Sequence, residues 1–297
     1  MFTYTIGTSK DIESTINIDY EAYSSVMESY QPRSYNEMLS CYYKKTNGLI
    51  LAKDNNNTVG FVYTRRLGVL GWIGPMAVLP KHKKKGIANN LLLRAEALLK
   101  SEGCETIGFE TTPSLMTYYL KKKWIAIGIN YLLSYDMGTN ESTDLSVDEI
   151  SFVENQALDF LETNEYINMK NGVNYETEII NEIDVNENKL YTIYINKKNK
   201  GIILFCVKDA LIEVKLMNME LYKNSGFSTI QIIFEKLCKN FSTNKVMFSI
   251  NNQNSLELLL SALNNGCQIK GYSIRFQNKE SKIIENINIF ESYRWGT

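Results

Sequence analysis

Apolar positions recur along this chain first at every second residue and then at every third or fourth, and the change of period marks the elements. Period two puts alternate side chains on one face of a strand, whereas spacing near 3.6 lines one face of a helix. Residues 2–6 are predicted as a short strand, and the tyrosine-rich stretch 10–43 as helical. Three strands follow at 48–53, 58–66 and 70–79, with turns at Asn55-Asn56-Asn57 and around Gly68. Leu91, Leu92, Ala95, Leu98 and Leu99 then recur at helical spacing, which predicts a helix over 87–101 ended by Gly103. A strand at 106–111, a helix at 114–122 and a strand at 125–135 complete this half.

Residues 138–147 are polar and break the pattern, so they are assigned as a linker between a domain at 1–137 and another at 148–297. The second half repeats the outline of the first. Strands are predicted at 191–195, 201–207 and 211–217, then a Gly-containing loop at 223–228 that opens a helix carrying Ile230, Ile233, Phe234 and Leu237. A strand at 245–250, a helix at 255–263 and a paired strand at 268–276 follow. Gly86 precedes Ile107 by the same separation as Gly226 precedes Met247, which points to an internal duplication. The first half ends one strand short, and a further strand at 283–290 is expected to complete a sheet in its own half or the other.

Composition narrows the chemistry. Hydrophobic residues make up 44% and charged residues 22%, a globular balance able to bury a sizeable core. The formal net charge of −1 gives no reason to expect nucleic acid or an anionic membrane as a partner. No apolar run approaches the roughly 20 residues of a membrane span, and the start of the chain lacks the pattern of a signal peptide. The five cysteines lie far apart with no C-x-x-C pair, which suits buried free thiols in a reducing cytoplasm. The single histidine, His82, lies between Lys81 and Lys83, so neither a metal site nor a Ser-His-Asp triad is expected.

The segment richest in chemistry is Met76-Ala77-Val78-Leu79-Pro80-Lys81-His82-Lys83-Lys84-Lys85-Gly86-Ile87-Ala88-Asn89. A strand runs into a proline, then a basic loop, then Gly-x-Ala at the start of an amphipathic helix. A helix N-terminus presents unpaired N–H groups and partial positive charge, so it favours an anion such as phosphate. Glycine at 86 allows close approach to the backbone, and the small Ala88 keeps the next turn open. Neither G-x-x-x-x-G-K-[ST] nor G-x-G-x-x-G is present, which sets aside the P-loop and dinucleotide folds.

This segment resembles the acetyl-CoA pyrophosphate loop of the GNAT superfamily. There the pattern is arginine or glutamine, two residues, glycine, one residue, and then glycine or alanine. Lys83-x-x-Gly86-x-Ala88 matches it with lysine in first place. The resemblance implies an α+β fold with a mixed sheet, here as two tandem acyl-CoA N-acyltransferase-like domains. It implies acetyl-CoA as co-substrate, bound by Met76, Ala77, Val78, Lys83, Lys84, Lys85, Gly86, Ile87, Ala88 and Asn89. The run Thr112-Pro113-Ser114-Leu115-Met116-Thr117-Tyr118-Tyr119-Leu120-Lys121-Lys122-Lys123-Trp124 is similar to the family's next helix. Tyr119 falls on the tyrosine that protonates the departing thiolate, with Tyr118 as the fallback, and Thr112 falls on the family's asparagine. Lys121 is placed near the adenosine 3′-phosphate.

For the base that deprotonates an acceptor amine, Glu110 is the candidate, with a solvated strand residue as the alternative. The second half keeps Lys223-x-x-Gly226-x-Ser228 without a basic cluster or a tyrosine in its following helix, so it is expected to be a degenerate scaffold beside the acceptor pocket. The function implied is N-acetyl transfer from acetyl-CoA to a primary amine of a small molecule or peptide, by a monomer or homodimer. The alternative is a non-catalytic acetyl-CoA-binding regulatory module.

Overall fold

In the computed structural model, residues 1–26, 30–42, 48–138, 150–155, 164–167, 172–220, 227–278 and 289–291 are described. The first half contains β1 (Thr3–Ile6), α1 (Ile12–Ser24), α2 (Tyr35–Tyr42), β2 (Leu49–Asp54), β3 (Asn57–Leu67) and β4 (Leu70–Val78). It continues with α3 (Ile87–Ser101), β5 (Thr106–Thr111), α4 (Met116–Lys121) and β6 (Ile125–Asp136). The second half contains β7 (Ile150–Glu154), α5 (Glu176–Asn186), β8 (Lys189–Ile195), β9 (Lys198–Lys208) and β10 (Leu211–Glu220). It ends with α6 (Ser228–Asn240), β11 (Lys245–Asn251), α7 (Asn252–Asn264), β12 (Gln268–Gln277) and β13 (Ile289–Glu291).

The stretch 10–43, expected to be helical throughout, divides into α1 and α2, and residues 27–29 and 43 lie outside the described residues. Residues 139–147 of the expected linker also lie outside them. The hairpin turns follow their sequences. Asn55 and Asn56 adopt φ 48° and 69°, the left-handed pair that a two-residue hairpin loop requires and that asparagine tolerates.

All strands among the described residues belong to one sheet in the order β1-β2-β3-β4-β5-β12-β6-β11-β10-β9-β8-β7, with β13 paired to β10. The two halves exchange a strand. β12, from the second half, lies between β5 and β6, and β6, from the first half, pairs along β11. Tyr131 and Tyr272 are register partners in the antiparallel β6–β12 pair, their ring centroids 6.4 Å apart. The strand missing from the first half is therefore supplied by residues 268–277. Of the strand expected at 283–290, residues 283–288 lie outside the described residues, and Ile289–Glu291 pairs within its own half.

Burial follows this arrangement. One apolar cluster fills the first half around Phe61, Leu91, Ile107 and Phe109, and it includes Ile274 and Phe276 from β12. A second fills the second half and includes Leu133 and Tyr135 from β6. A third joins the halves, packing Leu67 and Trp72 against Tyr166, Val173, Tyr175 and Ile179. The buried Arg65–Glu178 ion pair, at 2.7 Å, crosses the same boundary. A boundary drawn near residue 137 in sequence is thus not a boundary in the sheet.

Candidate active site

β4 and β5 run parallel but pair over only three residues, Leu70–Trp72 with Thr106–Gly108. Beyond them β4 continues beside β3 and β5 beside β12, so the two strands part and leave a wedge. A β-bulge in β4, between the pairs Thr64–Ile73 and Val62–Met76, lies at the point of divergence and bends the strand away. Among the described residues, no strand pairs with β4 on the wedge side beyond Trp72, so that edge of β4 along Met76–Val78 is not covered by another strand.

The chain then stops at Pro80, makes a short 3-10 turn through His82, and enters α3 at Gly86. Gly86 is the N-cap and has φ +79°, a conformation an L side chain resists, with only Asn90 Nδ2 near the place a Cβ would take, at 3.9 Å. Lys83, Lys84, Lys85 and Gly86 are exposed, Ala88 and Asn89 are half-buried, and Ile87 is buried as the anchor of the first turn. Free N–H groups at the mouth of α3, open space at Gly86 and three neighbouring lysines form a cradle whose chemistry suits a diphosphate. His82 is buried beneath the loop, edge-on to Phe2, with Nδ1 3.9 Å from Asp54.

On the other wall, Tyr119 of α4 is buried against Phe109, with ring centroids 4.4 Å apart, and against Phe276. Burial pushes its phenol well above the ordinary tyrosine value, and its hydroxyl lies within hydrogen-bonding reach of the Thr111 side chain. Such a phenol stays protonated at neutral pH and can only donate a proton. Tyr118 packs against it at 5.1 Å and is half-buried. Thr112 leads into the turn before α4, its hydroxyl 2.8 Å from Ser114 Oγ, and Lys121 is exposed at the end of α4.

Sequence reasoning missed the last turn of α1. The Tyr23 hydroxyl donates to the Met76 carbonyl at 3.3 Å, and Lys83 Nζ donates to Ser25 Oγ at 3.1 Å. One helical turn thereby touches both the wedge strand and the basic loop. Behind it the buried Asp19 carboxylate accepts from the Tyr30 hydroxyl and from Arg33 Nη1, and Tyr30 stacks on Tyr23. The only trace of this in sequence is the density of tyrosines in a helical stretch.

Residues 12–118 match the family model described as Acetyltransferase (GNAT) family, a span that contains the wedge, the Gly86 loop and the first half of α4, and ends just before Tyr119. They form a GNAT acetyltransferase domain. The rest of the chain shares the fold. A putative acetyltransferase from Pyrococcus horikoshii superposes with a TM-score of 0.71 at 16% identity, over 98% of this chain and 94% of that one. A GCN5-related N-acetyltransferase from Sphaerobacter thermophilus gives 0.64 at 10% identity, over 97% and 98%. A tandem GNAT protein from the clavulanic acid biosynthesis pathway gives 0.63 at 10% identity, over 95% and 99%. No curated protein matches the chain in sequence. The architecture is that of a tandem GNAT protein, with a mixed sheet shared by two halves.

Within the GNAT domain, Glu110 occupies a different place from the one expected of a base. Residues 107 and 109 face the core with α3 and α4, so Glu110 points to the opposite face of the sheet. There its Oε1 accepts from Arg275 Nε at 3.1 Å and Nη2 at 2.9 Å. Its Oε2 accepts from Ser273 Oγ at 2.6 Å and from Asn130 Nδ2 at 3.4 Å. Both oxygens are engaged by β12 and β6, so the carboxylate ties the halves together and has no free lone pair directed at the wedge. The lysine run at 121–123 is exposed around the left-handed Lys123, φ +66°, which takes the turn position where the family has glycine. Among the described residues no group of His, Cys, Asp or Glu could hold a metal ion, and no helix is long and apolar enough to cross a membrane.

Proposed function

We propose that this chain transfers an acetyl group from acetyl-CoA to a primary amine by direct attack within the first half. The observation that carries the proposal is the open β4–β5 wedge, with the Gly86 helix mouth at one end and Tyr119 in its wall. Main-chain N–H groups of Gly86, Ile87, Ala88 and Asn89 would hold the pyrophosphate, and Lys83, Lys84 and Lys85 would add charge attraction. Met76, Ala77 and Val78 would bond the pantetheine arm as an added strand would, and Lys121 would meet the 3′-phosphate. Thr112 and Tyr118 flank the arm.

In the transfer the amine nitrogen bonds to the thioester carbonyl carbon, the C–S bond breaks, and the sulfur leaves with the bonding electrons. Tyr119 hydrogen-bonds to that sulfur and supplies its proton as the charge develops, while the proton that the bonded nitrogen sheds passes to solvent, from which the phenolate is reprotonated. Because a thiolate of pKa about 8.5 is a weaker base than a phenolate, the return of a proton from solvent to Tyr119 completes the step. The acceptor approaches from the side of α1, where Tyr23, Tyr30 and Asp19 make an aromatic, hydrogen-bonded wall.

The test is CoA thiol release from acetyl-CoA with a panel of primary amines. Turnover with at least one amine, lowered about 100-fold in Tyr119→Phe, is the expected result. Acetyl-CoA binding without turnover on any amine leaves the regulatory-module reading in its place. Absence of CoA binding at millimolar ligand ends both.

A further inference from the structure

The strands that form the wedge pair in the same register in the two halves. In the first half Val62 pairs with Met76 and Gly60 with Val78, and in the second half Ile203 pairs with Met217 and Gly201 with Met219. The bulge recurs at the same place, between Val214 and Leu216. β10 and β11 also pair over only three residues, Leu211–Glu213 with Lys245–Met247, and then part. The counterparts of Ala77, Val78 and Leu79 are therefore Asn218, Met219 and Glu220.

These three residues already have a partner. β13 pairs antiparallel with them, Asn218 with Glu291, Met219 with Phe290 and Glu220 with Ile289. Asn218 and Met219 also pair with β9, so β13 lies on the opposite edge of β10, inside the second wedge. One amide at the helix mouth is taken as well. The residue before α6 is Phe227, which makes it, and not Gly226, the counterpart of Gly86; Gly226 and Lys223 lie outside the described residues. Phe227 is right-handed and fully buried, where Gly86 is left-handed and exposed. Its N–H donates to Ser261 Oγ of α7 at 3.0 Å, so a protein hydroxyl takes a donor that a phosphate oxygen would otherwise need.

We infer that the second half retains a cofactor-shaped groove filled by the chain itself, with β13 on the strand edge and Phe227 and Ser261 at the helix mouth, so that one CoA binds per chain. This rests on the reading of the first half as the CoA site. A strand of the same chain pairing along an exposed edge is intramolecular, and a ligand must displace it to enter.

The test uses the full chain. Calorimetry with CoA is expected to give one site, abolished by Gly86→Glu; two sites, or one surviving in Gly86→Glu, would overturn the inference. Amide hydrogen exchange decides it independently of CoA. Those amides of residues 218–220 that are directed at β13 are expected to be protected without ligand and to exchange at least about tenfold faster in Phe290→Pro, since proline removes a donor from the strand. Equal exchange in the two proteins would refute the placement of β13. Unchanged thermal stability outside the transition error would show that Phe290→Pro still folds. If wild type takes up no CoA while exchange behaves as expected, the first-half reading fails and the self-filled groove stands.

Discussion

The carboxylate of Glu110, in the first half, is held by the guanidinium of Arg275, in the second, at 2.9 Å and with only 3% of the Glu110 side chain exposed. The pair sits where β5 meets the exchanged strand β12, with Arg275 also 5.5 Å above the Trp72 ring. Removing one member of a buried ion pair leaves the other charged and unpartnered. Glu110→Ala is therefore expected to lower stability by about 3 kcal/mol, read by urea denaturation, while kcat on the best amine changes less than about threefold. A large loss of kcat in a fully stable Glu110→Ala protein would return the base role to this residue.

Phe276 of β12 stacks on Phe109 at 5.4 Å and packs against Tyr119 at 5.7 Å, so the wall carrying the candidate acid is finished by the other half. A fragment of residues 1–137 leaves both this wall and the β5 edge bare. It is expected to fail to fold, shown by a collapsed near-ultraviolet dichroism signal and rapid proteolysis. A compact fragment that binds CoA would contradict the strand exchange.

The raised pKa of Tyr119 gives a pH signature. Its folded value lies above the unfolded one, so the protonated, donating form persists through the pH at which a free tyrosine ionises. The kcat profile of wild type is expected to show no loss from this phenol up to pH about 10. Tyr119→Phe should lower kcat about 100-fold with little change in the affinity for acetyl-CoA.

Gly86 separates two effects of substitution. Open space lies where a Cβ would go, so Gly86→Ala meets no clash and bears only the left-handed cost of about 1–2 kcal/mol. Acetyl-CoA affinity should fall roughly tenfold or less in Gly86→Ala. Gly86→Glu adds an anion at the diphosphate position, and calorimetry should then detect no binding.

All five cysteines are free and buried. Burial pushes the Cys41 thiol up to about 11 and the Cys267 thiol up to about 12. With folded values above the unfolded one, the native state holds these protons more tightly. Their contribution to stability is complete below the unfolded value near 9.0 and is lost as pH rises through about 11 and then about 12. Tm is expected to fall progressively above pH 9, and the native protein should resist thiol reagents at neutral pH.

Much of the candidate site is legible in the sequence because its chemistry is local. The proline stop, the left-handed glycine, the lysines and the apolar stripe of α3 are all consequences of residues within one short segment. Tyr119 could be named for the same reason, as part of a single helix. Glu110 could not be placed, because the partners of a strand carboxylate lie on neighbouring strands, and here Ser273 and Arg275 come from far along the chain. Tyr23 was missed likewise, since its hydroxyl meets Met76 only when α1 lies across β4.

The sequence by itself determined most of the strands and helices, though not β7 or α5, and pointed to the duplication and the candidate phosphate loop, through periodicity, turn chemistry and helix-end electrostatics acting over a few residues. Only the tertiary structure decided that the halves trade β6 and β12, that Glu110 ties them together, and that β13 pairs along β10. Strand pairing carries no sequence-specific address. Main-chain N–H and C=O groups bond any well-placed edge, and which edge is nearest depends on how the whole chain packs.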